Sequence, residues 1–235
     1  MSKRLSINWE DYKKQLLEPS NTYGMISEYL TPYFPKKLYK YGSFKSNYWE
    51  NTIFKGEIYL AISKSFNDPF DCLPHFDINK LFESSDFRKI VLSQKPYLDE
   101  TGFFKLDRKL IKDELLQGLR EDFRATCFSE VWDSLLMWGH YADCHNGFCI
   151  EYDTSDLSAL KKPRFFPVLY HRDRFDITQG LINKSPNVGL ISLVGKAKEW
   201  EYEKEWRMIT LKRDSQDKYY FRREIRSEER RVGKE

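Results

Sequence analysis

Two histidines and two cysteines fall within ten residues of the chain, at His140, Cys144, His145 and Cys149. Imidazole and thiolate groups are preferred zinc ligands, and a thiolate beside a base can also act as a nucleophile. Structural zinc sites usually take paired ligands from two separate turns, whereas this pattern predicts a helix at His140 and Cys144 and a strand at Cys149. The spacing therefore favours cysteines that fill space in the core over a zinc site.

Pairs of acidic residues recur along the chain. They are Asp68 and Asp71, Glu151 and Asp153, and Glu203 and Glu205. Residues two apart on a strand face the same side, so such a pair can present both carboxylates to one point. Convergent carboxylates would hold magnesium for cleavage of a phosphodiester bond. The same spacing describes solvated strands in a chain with 36 acidic residues, and we favour that interpretation.

A third group lies in the segment Trp200-Glu-Tyr-Glu-Lys-Glu-Trp-Arg207. Glu205 and Arg207 are predicted to share one face of a strand, where they would form an ion pair. A carboxylate and a guanidinium beside aromatic rings also suit a cleft for a flat, charged ligand such as a nucleotide, because rings stack on bases and arginine binds phosphate. Both interpretations stay open.

The elements that position these residues follow from hydrophobic periodicity. Helices are predicted at 7–17, 23–30, 44–54 and 135–142, and strands at 37–41, 57–62, 124–129, 147–153, 165–170 and 205–211. The turn-forming segment 65–71 predicts a structured loop, and 77–120 predicts a helical layer interrupted at Pro96 and Gly102. Short strands separated by helices of uneven length are typical of an α+β fold, with a central mixed or antiparallel sheet of about five or six strands and helical insertions.

We predict an N-terminal helical extension at residues 1–35, followed by a single α+β domain at 36–225 with a helical insertion near 77–121. Residues 226–235 contain one apolar side chain and seven charged ones, a composition that cannot pack into a core. This segment also resembles a translated vector sequence, so we interpret it as a non-native tail.

Composition excludes several classes of protein. Aromatic residues make up 16% of the 235 residues and charged residues 32%, which argues against disorder and low complexity. The mean hydropathy is −0.68, and the N-terminus lacks the apolar core of a signal peptide, so we expect a cytoplasmic protein with no membrane partner. A net charge of +3 does not favour nucleic acid, and four cysteines are too few for a disulfide scaffold.

Five motifs occur in a distinctive order. They are Leu38-Tyr-Lys-Tyr41, Ser65-Phe-Asn-Asp-Pro-Phe-Asp-Cys72, Cys127-Phe-Ser129, Met137-Trp-Gly-His-Tyr-Ala142 with Gly147-Phe-Cys-Ile-Glu-Tyr152, and Trp200-Glu-Tyr-Glu-Lys-Glu-Trp-Arg207. From about Leu38 to Leu211, the chain resembles the bacterial and phage-borne family called domain of unknown function 2971. The layout of that family is in turn similar to that of ADP-ribosyltransferases, a likeness at the level of the fold.

That second likeness implies an enzyme that uses NAD as its substrate. Tyr39 or Tyr41 would lie on the first strand, Tyr59 and Ser63 on the second, and Glu205 on the last strand as the catalytic carboxylate. Departure of nicotinamide leaves an oxocarbenium-like centre, which a carboxylate stabilises. Tyrosines would stack on nicotinamide, while Arg207 or Lys40 would hold the pyrophosphate.

The predicted function is therefore NAD-dependent ADP-ribosyl transfer or NAD cleavage, in a bacterial toxin or phage-defence setting. The predicted catalytic residues are Glu205, His140 and Tyr41, and the predicted NAD contacts are Tyr39, Lys40, Tyr59, Ser63, Asn67, Asp68, Tyr141 and Arg207. The target of modification would be a protein or a nucleic acid, and an antitoxin or defence-system partner is expected. Two alternatives stay open, namely a metal-dependent nuclease that uses Asp68 and Asp71, and a non-catalytic ligand-sensing or interaction domain.

Overall fold

The computed structural model describes residues 5–155, 164–211 and 220–222. These residues form two compact units, each assembled from three stretches of the chain. Unit 1 draws on residues 1–33, 62–123 and 168–201, and unit 2 draws on 34–61, 124–167 and 202–235.

The described residues form helices α1 (Trp9–Leu17), α2 (Tyr23–Leu30), α3 (Trp49–Lys55), α4 (Ile78–Glu83), α5 (Ser85–Gln94), α6 (Glu100–Phe104), α7 (Arg108–Glu121), α8 (Leu135–Tyr141), α9 (Thr178–Ile182) and α10 (Val188–Val194). The strands are β1 (Lys37–Gly42), β2 (Glu57–Tyr59), β3 (Phe123–Ser129), β4 (Phe148–Asp153), β5 (Arg164–Pro167), β6 (Leu169–His171), β7 (Gly195–Ala197), β8 (Glu205–Leu211) and β9 (Tyr220–Arg222). Short 3₁₀ helices cover Thr31–Tyr33, Ser63–Ser65 and Lys198–Glu203.

Unit 2 is organised around a five-stranded sheet with the order β4-β1-β3-β8-β5. The pairs β1–β4, β1–β3 and β5–β8 are antiparallel, with Tyr39 opposite both Glu151 and Ser129. Strands β2 and β9 form a separate antiparallel pair in which Tyr59 lies opposite Tyr220. The sheet confirms the predicted α+β class, with antiparallel strands.

Aromatic rings fill one face of this sheet. Phe128 contacts Tyr152 edge-on, with ring centroids 5.5 Å apart, and lies 6.1 Å from Phe165. Phe34 lies 5.0 Å from Phe165 and 5.2 Å from Trp206. Since offset and edge-on contacts add to the gain from burial, these rings bind β3, β4, β5 and β8 to one another.

Two glycines set the geometry where α3 ends and where β4 begins. Gly56 ends α3 in the left-handed conformation, with φ of 63°, so the chain can turn at once into β2. Gly147 approaches the carbonyl oxygen of Gly42 so closely that a Cβ atom would lie 2.2 Å from it. Only glycine permits the end of β1 and the start of β4 to pair at this distance.

Unit 1 is mainly helical and contains α1, α2, α4–α7, α9 and α10. Its two short strands β6 and β7 pair in parallel, with Tyr170 opposite Lys196. All seven residues of α10 are buried. The polar side chain of Asn187, just before α10, donates to the carbonyl oxygens of Glu18 and Asn21 at 3.3 and 3.0 Å. This links the beginning of α10 to the loop between α1 and α2.

Most predicted elements occur close to their predicted bounds, and the differences have local causes. The expected strand at 165–170 is two strands, because pairing with β8 ends at Pro167 and pairing with β7 begins at Leu169. Gly102 lies inside α6 and does not interrupt the helical layer. The apolar run of α10 was not predicted as a helix, since a segment buried on every side has no amphipathic period.

The predicted domain bounds at 35, 77 and 121 stay predictions. The predicted tail at 226–235 lies outside the described residues. No helix among the described residues is long and apolar enough to cross a membrane.

Candidate functional site

The centre of β8 contains a buried ion pair. Nε of Arg207 donates to Oε1 of Glu205 at 2.6 Å, and Nη2 of Arg207 donates to Oε2 at 3.1 Å. The side chain of Arg207 is 0% exposed and that of Glu205 3%. The two residues are two apart on a strand, so both side chains lie on the same face and the planar guanidinium can meet both carboxylate oxygens. The ion-pair interpretation of this motif is therefore confirmed.

A second buried carboxylate precedes β8. Oε1 of Glu203 accepts a hydrogen bond of 2.6 Å from the hydroxyl of Tyr141, which ends α8. Oγ of Ser129, the last residue of β3, donates to the backbone carbonyl of Glu203 at 2.6 Å. Tyr141 thus holds the carboxylate and Ser129 holds the backbone of Glu203, so three of the predicted motifs meet at this residue.

Helix α8 also contacts β1. The ring of Tyr41 lies edge-on to that of Trp138, with centroids 5.4 Å apart. The hydroxyl of Tyr41 donates to the carbonyl of Val131 at 3.1 Å, and burial raises the pKa of Tyr41 to about 12. His140 is exposed on the same helix, with its ring 6.3 Å from that of Tyr141. The structure therefore brings the predicted residues Tyr41, His140 and Tyr141 to one helix and the strand beside it.

Glu205 and Tyr41 lie on the same face of the sheet. Side chains alternate along a strand, and Trp206 lies on the aromatic face with Phe128, where its Nε1 donates to Glu130 at 2.7 Å. Glu205 and Arg207 must then lie on the opposite face. Ser129 follows Phe128 on β3, so its side chain also lies on this second face. Because Tyr39 lies opposite Ser129 in the β1–β3 register, Tyr39 and Tyr41 lie on the second face as well.

Lys40 lies on the aromatic face, because it alternates with Tyr39 and Tyr41 along β1. Its Nζ donates to Oγ1 of Thr126 at 2.6 Å and to the carbonyl of Cys127 at 3.3 Å, and burial lowers the pKa of the amine. The predicted pyrophosphate contacts thus have other partners in the structure: Lys40 is bound within the sheet and Arg207 binds Glu205.

Two other predicted tyrosines make separate contacts. Tyr39 donates to Oε2 of Glu151 at 3.1 Å, and the same carboxylate forms an exposed ion pair of 2.6 Å with Lys37. Tyr59 stacks on Tyr48 with centroids 4.6 Å apart and an interplanar angle of 6°. These contacts tie β1 to β4 and β2 to the segment before α3.

Ser63, Asn67 and Asp68 belong to unit 1, whereas Tyr41, His140 and Glu205 belong to unit 2. Ser63 is buried, and its Oγ donates to the carbonyl of Arg120 at 3.1 Å. Asp68 accepts from the backbone N–H of Phe70 at 2.8 Å, a bond that closes the turn of the motif. Asn67 is exposed.

Unit 1 contains its own buried ion pair. Oδ2 of Asp71 lies 3.8 Å from Nζ of Lys196, and both side chains are 5% exposed. The Lys196 amine also lies 5.1 Å from the centroid of the Trp200 ring. Sγ of Cys72, whose backbone has φ of 57°, lies 3.4 Å from Oδ1 of Asp71. The acidic motif loop is thereby joined to β7.

The four cysteines differ in their surroundings. Within the described ranges, no group of three or more histidine, cysteine, aspartate or glutamate side chains is arranged to hold a metal ion. Cys144 is exposed, and burial raises the pKa of Cys149 to about 11. Asp143, Cys144 and His145 all have φ near 50–70°, in the left-handed region that costs side-chain-bearing residues energy.

Sequence reasoning missed Ser129, Glu203 and Lys196 as members of these clusters. The sequence pattern presents Glu203 and Glu205 as a pair of acids on one strand, whereas Lys204 between them has φ of 44° and breaks the alternation. Lys196 is a single basic residue after a long apolar run, and that position was the one available signal of burial.

Residues 137–208 match the family model described as protein of unknown function (DUF2971). The matched segment begins in α8 and ends in β8, so it includes Tyr141, Glu203, Glu205 and Arg207. No curated protein and no solved structure matches the chain. The match confirms, over residues 137–208, the resemblance to the domain-of-unknown-function family.

Proposed function

Because the DUF2971 segment coincides with the cluster between α8 and β8, we propose that this chain is a nucleotide-utilising enzyme whose site lies in unit 2. The proposed reaction is cleavage of NAD or transfer of its ADP-ribose group, in a bacterial toxin or phage-defence setting. The proposed site residues are Tyr41, His140, Tyr141, Glu203, Glu205 and Arg207.

The hydrogen bond between Tyr141 and Glu203 is the observation that supports this proposal most directly. It joins two motifs that are 62 residues apart and puts a carboxylate beside the aromatic residues of α8. A carboxylate and several aromatic rings are groups that suit recognition of a flat dinucleotide and its ribose. A purely structural strand pair needs no such aromatic neighbours.

In the proposed reaction the C–N bond between ribose and nicotinamide breaks, and its electron pair leaves with nicotinamide. The oxygen of water, or a nucleophilic atom of a target molecule, then forms a bond to C1 of the ribose. Glu205 would stabilise the positive charge that develops on the ribose, and Arg207 would keep this carboxylate ionised and oriented. His140 would accept the proton that the nucleophile releases.

The burial of Glu205 adds a requirement. Only 4% of Glu205 is exposed, so NAD must displace the side chains that cover it before the ribose can approach the carboxylate. We therefore expect NAD to change hydrogen exchange at the backbone amides of β8 as well as to raise the melting temperature.

Incubation of the purified full chain with NAD, followed by quantification of nicotinamide, tests the proposal. Wild-type protein should release nicotinamide, and Glu205→Gln should reduce the rate by about 100-fold or more, since loss of a group that stabilises transition-state charge typically costs that much. Glu201→Gln is the matched control, because Glu201 is exposed and pairs with Lys198 at 2.6 Å.

The two variants must first be shown to be folded by circular dichroism. If Glu205→Gln is unfolded, Tyr141→Phe gives the second test, since it removes one hydroxyl and retains the ring. The proposal is wrong if wild-type protein neither consumes NAD nor is thermally stabilised by it. The role of Glu205 is wrong if its folded amide variant is as active as wild type.

A further inference from the structure

Three large apolar side chains next to α8 are more than half exposed. Trp132 is 58% exposed, Leu135 76% and Leu136 55%. They fall within five residues of one another, in the loop before α8 and in its first turn. We call these three side chains the apolar ledge.

The backbone beneath the apolar ledge is fixed by side chains from three other positions. The carbonyl of Val131 accepts from Tyr41 at 3.1 Å, and the N–H of Val131 donates to Ser129 at 2.9 Å. The carbonyl of Trp132 accepts from Nε1 of Trp138 at 2.8 Å. An apolar surface held in one conformation binds a partner at a lower entropic cost than a mobile loop does.

The chemistry of the apolar ledge favours a protein over a nucleic acid. Leucine side chains pack against apolar side chains, whereas surfaces for single-stranded nucleic acid combine stacking rings with lysine and arginine. Asp133, which follows Trp132 in the sequence, is charged and exposed. Its carboxylate repels phosphate and attracts a basic side chain.

We propose that the apolar ledge is a docking surface for a partner protein that covers Trp132, Leu135 and Leu136 with apolar side chains and places a lysine or arginine near Asp133. Protein interfaces are enriched in aromatic and apolar side chains at their core and carry polar ones at their rim. This proposal is independent of any activity toward NAD.

Fluorescence anisotropy of a labelled helical peptide built from leucine and lysine tests the proposal on the full chain. Wild type should bind this peptide at least about tenfold more tightly than it binds the matched peptide of leucine and glutamate. The double variant Leu135→Ser, Leu136→Ser should lose about tenfold or more in affinity for the lysine peptide. Asp133→Asn should reduce the preference for lysine over glutamate.

Leu110→Ser is the matched control, because Leu110 is an exposed leucine (56%) on another helix, α7. The Leu110→Ser variant should bind the lysine peptide with the same affinity as wild type. Equal affinity of wild type and the double Leu→Ser variant, or no binding by wild type, would overturn the proposal. Sedimentation and an oligothymidine probe test the other occupants. A wild-type dimer that the double variant dissociates, or oligonucleotide binding that it abolishes, would also overturn the proposal.

Discussion

The two units each contain a buried ion pair, and the pairs are built differently. In unit 2, Arg207 and Glu205 lie on one strand and form two hydrogen bonds, at 2.6 and 3.1 Å. In unit 1, Lys196 on β7 reaches Asp71, 125 positions earlier in the numbering, and its Nζ lies 3.8 Å from Oδ2 of that residue. The first pair joins two residues of one strand, whereas the second depends on how the motif loop packs against β7.

The difference shows what each pair can do for the fold. A planar guanidinium on the same strand as its carboxylate loses little conformational freedom when it binds. The Lys196 amine lies 5.1 Å from the centroid of the Trp200 ring, and an ammonium on a flexible stem meets a carboxylate as a point charge and not as a planar fork. We infer that the Arg207–Glu205 pair is the more sensitive to loss of one partner.

Replacement of Arg207 by methionine should have the largest effect. It leaves the carboxylate of Glu205 buried beside an apolar side chain, and removal of one partner from such a pair typically costs about 3–5 kcal/mol. Urea denaturation should show this fall in the free energy of unfolding. Lys198→Met is the control, since Lys198 is half exposed, and should change stability by less than about 0.5 kcal/mol.

The double variant Glu205→Leu, Arg207→Met sharpens the same test. Because it removes both charges of the pair, it should be more stable than Arg207→Met alone and close to wild type. A double variant as unstable as the single one would mean that other contacts of Arg207 and Glu205, and not their mutual pairing, stabilise unit 2.

Tyr141→Phe should have an intermediate effect. It removes the hydroxyl that donates to Glu203 at 2.6 Å, and a hydrogen bond to a charged group contributes about 1.5–3 kcal/mol. Tyr33→Phe, on a half-buried tyrosine of unit 1, gives a comparison for loss of a hydroxyl outside the candidate site. If the free energy of unfolding falls by the same small amount in both variants, Tyr141 does not stabilise the buried carboxylate.

These contrasts also show how much could be predicted from sequence. The Glu205–Arg207 pair follows from strand periodicity, since a spacing of two places both side chains on one face. Helix α8 follows from local rules as well, since it begins after Ser134, a residue type favoured at the N-cap, whose hydroxyl accepts from the N–H of Met137 at 3.4 Å. Pairing within one element is local, so it can be predicted from the sequence.

The contacts of Glu203 and Lys196 could not be predicted in this way. Glu203 meets Tyr141 and Ser129, which lie 62 and 74 residues away, and Lys196 meets Asp71 across 125 positions. No periodicity relates such positions, because their proximity is decided by strand order and by loop packing. The family resemblance indicated which motifs belong together but not which atoms touch.

Replacement of Lys196 by methionine should cost less than the Arg207 variant, about 1–3 kcal/mol, the range expected when a buried polar group loses a partner. The long 3.8 Å separation is the physical reason, since attraction between the charges weakens with distance. Urea denaturation of Lys196→Met and Arg207→Met side by side measures the ranking. The comparison between the units is wrong if Lys196→Met is the less stable of the two.

The stability of the folded chain should also depend on pH. Burial raises the pKa of Tyr41 to about 12 from 10.0, and that of Cys149 to about 11 from 9.0. The unfolded chain therefore releases these protons at lower pH than the folded chain does. Their contribution to stability is fully present below about pH 9 and declines as the pH rises toward 12.

The measurement is urea denaturation of wild type, Tyr41→Phe and Cys149→Ala between pH 8 and about pH 11, the upper limit being set by the raised pKa of Cys149. Each variant removes one ionisable group, so its stability should decline less steeply with pH than that of wild type. Arg207 keeps its charge over this whole range. High pH should therefore lower the free energy of unfolding while the ion pair between Glu205 and Arg207 stays formed. Parallel slopes for wild type and Tyr41→Phe would show that the phenol of Tyr41 ionises equally easily in the folded and unfolded chain, in contradiction to its contact with Trp138 and its bond to Val131.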